Sequence, residues 1–237
     1  MTLALVHLLA AYTVLAAPWL AYLWYQRARR RIASGAPDAK SRLYRSIVWE
    51  QIITAGVVLT LWGSGRIPAA SLGLVAPRMW RWSLPALLLI VGAIAWSSLQ
   101  LRPKAVKIRR SLQDSIGALL PDSQQDRLWW GAVSVGAGVS EELVFRGFLL
   151  YYLSAYLPSM NTLERALLTS LVFGVGHLYQ GWRAIIGTGI LGLAFAGLYL
   201  ITGSLLLPIA IHAAVDYRML LIFPPATLTT VAAEGNA

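Results

Sequence analysis

Seven apolar runs constrain this chain more than any other feature: Leu3 to Trp24, Ile47 to Trp62, Ser83 to Leu101, Leu128 to Leu157, Leu163 to Tyr179, Ile185 to Thr202 and Leu205 to Phe223. Several approach the ~20 residues that cross about 30 Å of hydrocarbon. Inside lipid a segment must satisfy its own backbone hydrogen bonds, and for separate runs of this length the α-helix does so. Only 13% of the 237 residues are charged, against about 25% in a soluble domain. The pattern predicts an all-α, polytopic membrane protein of about seven transmembrane helices. No Ser/Gly/Pro-rich linker divides it, so one compact membrane domain is expected. Within it, residues 1–127 supply the N-terminal helices and basic loops, 128–223 a helical bundle with the polar motifs, and 224–237 a short polar tail that should fray.

The formal charge of +10 does not point to nucleic acid, because the basic residues form no stripe along one face. They gather between the apolar runs: Arg27, Arg29, Arg30, Arg31, Lys40, Arg42 and Arg45 in one loop, and Lys104, Lys107, Arg109, Arg110 and Arg127 in another. That is the positive-inside distribution of a membrane protein. It puts both loops in the cytoplasm and, with seven spans, the N-terminus outside and the C-terminus inside, in what we expect to be a bacterial plasma membrane. The first run lacks a basic n-region and a small-residue cleavage site, so it reads as a retained helix rather than a signal peptide. Residues 63–82 read as a loop with interfacial Trp80 and Trp82, and Trp129 and Trp130 as anchors at the start of the fourth span. Val106 to Leu112 has the pattern of a short amphipathic helix on the membrane surface. His7 is placed at the interface. Glu50, near a cytoplasmic helix end, is read as structural, reaching water or pairing with Arg42 or Arg45. The absence of cysteine excludes disulfides, CxxC redox pairs and thiolate metal sites.

The fourth run is different, because Ser140-Glu141-Glu142-Leu143-Val144-Phe145-Arg146 places three ionisable residues within it. An Asp, Lys or Arg at the centre of a transmembrane helix costs about 2.5–3.5 kcal/mol on insertion scales, so ionisable groups there are functional candidates by default. At about 100° per residue, Glu142 and Arg146 differ by about 40° and share a face, whereas Glu141 and Arg146 differ by about 140°. Glu142 is therefore the carboxylate expected to neutralise Arg146. Glu141 is left aimed elsewhere as a candidate general base.

Two later spans also carry deep ionisable groups. His177 closes the fifth, with Phe173 and Thr169 on its own face, and His212 and Asp216 share a face of the seventh at i, i+4. Charges in lipid must meet one another or line a wet cavity. The economical arrangement is one polar chamber holding Glu141, Glu142, Arg146, His177, His212 and Asp216. Small residues at Ala132, Gly136 and Ser140, and again at Thr188, Gly192 and Ala196, form ridges along which helices can approach closely.

Glu-Glu-x-x-x-Arg (141–146), Phe-x-x-x-His (173–177) and His-x-x-x-Asp (212–216), in that order on membrane helices, resemble the CPBP intramembrane proteases, also called CAAX prenyl protease 2-like or Abi proteins. The resemblance covers about residues 128–220 and includes the approach Gly203-Ser204-Leu205-Leu206-Leu207-Pro208. It implies an all-helical membrane bundle that hydrolyses a peptide bond within or beside the bilayer, acting on a peptide or membrane-protein substrate. It also implies roles: Glu141 activating water, His177 helping to hold it, Glu142 and Arg146 fixing the geometry, and His212 with residue 216 stabilising the oxyanion. Prenylated peptides are the substrates of eukaryotic members, but nothing in this sequence marks a prenyl pocket. The family often has Asn where this chain has Asp216. An ionised Asp has no proton to donate, so Asp216 is either protonated or orients His212. A second strain is depth, with Glu141 well inside its span and His177 at the end of its own. No cofactor is expected. Glu141, His177 and His212 could bind zinc with an open position, but the sequence has no His-Glu-x-x-His helix. The competing readings are an ion or proton pathway and a catalytically silent, partner-binding membrane protein of the immunity type.

Overall fold

A computed structural model of the protein describes residues 2–225, among which every regular element is helical. The polar tail expected over 224–237 lies almost wholly outside the described residues. Helix α1 (Thr2–Ala11) continues through a π-helical run (Tyr12–Ala16) into α2 (Ala17–Ala33). The wider turn ends where Pro18, which has no amide to donate, enters the first turn of α2. Then follow α3 (Ala39–Gly63), a single turn α4 (Ala69–Leu72), α5 (Trp80–Leu101) and α6 (Ala105–Ile116). Next, α7 (Gln124–Glu142) passes through a second π-helical run (Leu143–Leu149) into α8 (Leu150–Tyr156). The chain closes with α9 (Thr162–Gly176), α10 (Trp182–Thr202) and α11 (Leu206–Ile222).

All seven expected spans fall on helices. Among the described residues, four helical stretches are long and apolar enough to cross a bilayer by length and composition: Leu3–Ala33, Ala39–Gly63, Trp80–Ile116 and Trp182–Thr202. The other three differ for physical reasons. Helices α9 and α11 have 15 and 17 residues, and the stretch through α7 and α8 carries the Glu-Glu-x-x-x-Arg charges. The apolar helices make this an integral membrane protein. The two basic loops are largely helical: Arg27 to Arg31 extend α2, and α6 occupies most of 102–127.

The apolar side of α6 does not lie on lipid. Ala105 and Ile116 pack with Leu120, Ile222 and Phe223, flanked by Ile108, Leu112, Trp130 and Met219. Trp130 is likewise half-buried and donates its indole N–H to the Asp216 carbonyl at 3.0 Å, which staples α7 to α11. Trp80 and Trp82 are exposed, as an interfacial position requires, although they already belong to α5.

Helices α3 and α11 flank α7, α5 lies on α11, and α9 pairs with α10. Glycines set the closest of these approaches. A Cβ at Gly138 of α7 would lie 2.8 Å from the Ile209 carbonyl oxygen of α11, and one at Gly174 of α9 would lie 2.5 Å from the Ile185 oxygen of α10. Helices α7 and α9 both begin with capping boxes, Ser123 with Asp126 and Asn161 with Glu164, which satisfy amides that the first turn leaves free. At the end of the bundle where α10 turns into α11, the segment between α3 and α5 is tied down. Leu205 N–H donates to the Gly73 carbonyl at 2.7 Å, Ser204 Oγ to the Val75 carbonyl at 2.6 Å, and Tyr199 Oη to the Ser71 carbonyl at 2.7 Å.

Candidate active site

Arg146, 1% exposed, sits in the π-helical run that continues α7. Its Nη1 donates to Glu142 Oε1 at 3.0 Å, so the pair expected from i, i+4 spacing forms. Its Nη2 donates to the carbonyl oxygen of Gly192 on α10 at 2.8 Å. A Cβ at Gly192 would lie 3.1 Å from that nitrogen and 2.9 Å from Phe173, so the small residue is what lets the guanidinium reach the α10 backbone. The rings of Phe173, Phe195 and Phe145 surround the guanidinium carbon at 4.6, 5.6 and 5.9 Å, distances at which ring faces attract a cation. Sequence reasoning saw the carboxylate partner but not this aromatic cage or the Gly192 carbonyl.

Glu142 is fully buried, and the same Oε1 meets His212 Nδ1 at 2.8 Å. A carboxylate accepts, so Nδ1 carries the proton there, and Nε2 is turned toward the other carboxylates. Glu141 Oε2 and Asp216 Oδ2 each lie 3.7 Å from His212 Nε2. The imidazole stacks on Phe195 (centroids 5.3 Å apart) and meets the edge of Phe173 at 5.9 Å. Glu142, not Asp216, therefore orients the His212 ring, while Asp216 flanks the nitrogen that faces the chamber. Glu141 keeps 30% of its side chain exposed, and its Oε2 has no hydrogen-bond partner.

His177 caps the C-terminal end of α9, and its Nδ1 lies 2.9 Å from the Phe173 carbonyl oxygen. That oxygen can only accept, so Nδ1 donates and Nε2 is left as an acceptor. Phe173 touches His177 at 4.9 Å and His212 at 5.9 Å between centroids, which brings the end of α9 to the level of the chamber and removes the depth strain. The structure thus gathers Glu141, Glu142, Arg146, His212 and Asp216 directly, with His177 joined through Phe173. Glu50, exposed on α3, forms no ion pair with Arg42 or Arg45 among the described residues. It lies within electrostatic reach of Glu141 instead.

The fit to zinc is poor. Among the described residues no three His, Asp or Glu side chains converge to hold a metal ion.

Residues 123–218 match the family model described as Rce1-like, type II CAAX prenyl endopeptidase. This stretch is similar to the type II CAAX prenyl endopeptidases. The match begins at Ser123, the cap of α7, and ends two residues past Asp216, so it contains all three motifs. The likeness covers less than half of the chain and supports a CAAX-type membrane protease. No curated protein and no solved structure matches the chain.

Proposed function

We propose that the protein is an intramembrane endopeptidase in which Glu141 is the general base that activates water. The observation that carries this reading is the contrast between neighbouring carboxylates. Glu142 is sealed, with one oxygen shared by Arg146 and His212 and the other without a partner, while Glu141 keeps 30% of its side chain exposed in the same chamber and is hydrogen-bonded to neither. A water between Glu141 and the acceptor Nε2 of His177 would give one proton to Glu141 as its oxygen attacks the peptide carbonyl. His212, with Nδ1 donating to Glu142, can offer a hydrogen bond to the oxyanion only from a protonated Nε2. The resulting positive charge would be matched by Glu141, Glu142 and Asp216 around the ring. The proton on Glu141 would then pass to the departing amine, which breaks the C–N bond and restores the carboxylate.

The test is cleavage of membrane-tethered peptides, with and without a prenylated C-terminal cysteine, by the purified full chain. Glu141→Gln should fold normally and cleave nothing, because the amide fills the same space but cannot accept the proton. A glutamate base needs no ion, so activity should also survive extended dialysis against a strong chelator. One tightly held zinc per chain, with activity lost on chelation and restored by zinc, would reject the assignment.

A further inference from the structure

The basic residues between the apolar helices divide into those built into the fold and those left outside it. Lys40 and Arg109 both pair with Asp122, and Arg109 also donates to the Pro121 carbonyl. Arg127 donates to the Leu220 and Phe223 carbonyls and Arg102 to that of Leu221, so both hold the end of α11. The hairpin of α2 and α3, joined by residues 34–38, does the opposite. Its Arg27, Arg31, Arg42 and Arg45 are exposed, and among the described residues none of the four pairs with a carboxylate. Arg45 makes one long contact, from Nε to the Ser41 carbonyl of its own helix at 3.4 Å. Exposed Asp38 joins Arg42 through the backbone, its carbonyl accepting from the Arg42 amide at 2.8 Å.

Helical geometry puts these arginines on one surface with two tryptophans. On α2, Trp24, Arg27 and Arg31 fall within about 60° of one another, and on α3 so do Arg42, Arg45 and Trp49. Trp24 Nε1 donates to Ser46 Oγ at 3.0 Å, which joins the two faces. Measured along the helices from that bond, Arg45, Arg27 and Arg42 stand about 1.5, 4.5 and 6 Å toward the basic end, and Trp49 about 4.5 Å the other way. The polar head-group layer on each side of a bilayer is about 5–8 Å deep. Trp24 and Trp49 are 55% and 62% exposed, as indoles at the edge of the hydrocarbon are. Leu20 and Ile53, also exposed, continue the two faces away from the arginines.

We propose that this face of the α2–α3 hairpin binds an anionic phospholipid, with Arg27, Arg42 and Arg45 on its phosphodiester head and its acyl chains over Trp24 and Trp49. Charge complementarity selects that occupant. A guanidinium fork offers paired donors to a phosphate, and unpaired basic side chains just beyond a membrane helix attract anionic lipid. A zwitterionic lipid brings its own ammonium group beside the arginines and gains less. Free phosphate would match the arginines but leave the indoles uncovered. The site uses no residue of the Glu141 chamber, so it stands apart from the proposed chemistry.

The full chain in phosphatidylcholine nanodiscs tests this, through quenching of tryptophan fluorescence by lipids brominated in their acyl chains. One series adds brominated phosphatidylglycerol and the other brominated phosphatidylcholine. Phosphatidylglycerol should quench at lower mole fractions, and its excess over phosphatidylcholine should saturate. That excess should shrink in Trp49→Phe and vanish when Trp24→Phe is added. Arg27→Gln, Arg42→Gln and Arg45→Gln should each raise the half-saturating mole fraction about fivefold, the effect of one basic side chain near an anionic surface. All three positions are exposed and lack a carboxylate partner, so the variants should fold. Arg29→Gln removes the same charge from an exposed position about 140° away from Trp24 and should change that mole fraction by less than about twofold. Equal quenching by the two lipids would overturn the proposal and leave the arginines to an acidic protein partner. An excess that persists without the two tryptophans, or a fivefold loss in Arg29→Gln as well, would also overturn it, because the lipid would then be answering to net charge and not to this face.

Discussion

Replacing Arg146 with Ala should be among the most damaging single changes in this protein. The side chain is 1% exposed and Glu142 beside it is 0% exposed, so the substitution strands a carboxylate that no water can reach. Breaking a buried pair from one side costs about 3–5 kcal/mol, against a total stability of about 5–15 kcal/mol. At 1.4 kcal/mol per decade, the ratio of folded to unfolded protein should fall by roughly two to four orders of magnitude. At about 2–4 °C per kcal/mol for a chain of this size, Tm should drop by about 6–20 °C. Changing both partners, Glu142→Gln with Arg146→Gln, removes both charges at once and should recover much of the loss while activity stays low. His212 Nδ1 could still donate to the amide oxygen that the first of these substitutions leaves in place of the carboxylate. The measurement is a double-mutant cycle read by thermal unfolding in detergent. If the double change is as damaging as the two single Gln changes added together, to within about 0.5 kcal/mol, the two groups are not coupled and the reasoning fails.

Two further outcomes are expected. Gly138→Ala should cost about 1–3 kcal/mol because the new methyl meets the α11 backbone, whereas Gly131→Ala, whose Cβ would lie 3.5 Å from Tyr217, should be neutral or stabilising by up to about 1 kcal/mol; thermal unfolding of the two variants side by side checks the contrast. Single cysteines introduced at the exposed positions Arg29 and Lys107 of this cysteine-free chain should react with an impermeant thiol reagent only from the cytoplasmic side, and one at Ser64 only from outside; the reverse labelling pattern would overturn the positive-inside assignment.

What the sequence made legible was mostly local. The Glu142–Arg146 pair follows from spacing on one helix, and the ridge at Thr188, Gly192 and Ala196 marked where α10 could be approached. The sharing of one Glu142 oxygen by Arg146 and His212 was not legible, because it depends on how α11 is set against α7. Neither was the π-helical run at 143–149, since its hydrogen bonds leave no mark in the hydrophobic period. Glu50 reads as reaching water or pairing with Arg42 or Arg45, and the first of these fits its exposed place on α3. Dependence on helix packing also explains α6, whose amphipathic pattern reads alike whether its apolar side meets lipid or Phe223. Gly138 carried a signal that could have been found, since a third glycine between Gly136 and Ser140 marks a second close approach on α7.

The brevity of α9 has a consequence for the bilayer around it. Its 15 residues extend about 22 Å at 1.5 Å each, some 8 Å short of an ordinary hydrocarbon thickness of about 30 Å. Helix α11, with 17 residues, reaches about 25 Å. Lipids beside such elements relieve the mismatch by thinning, at a fraction of a kcal/mol per ångström. Where the thinning falls on the His177 end of α9, head groups and the water among them would dip toward the chamber. The membrane surface, rather than a channel through the protein, would then carry both water and a tethered peptide to Glu141.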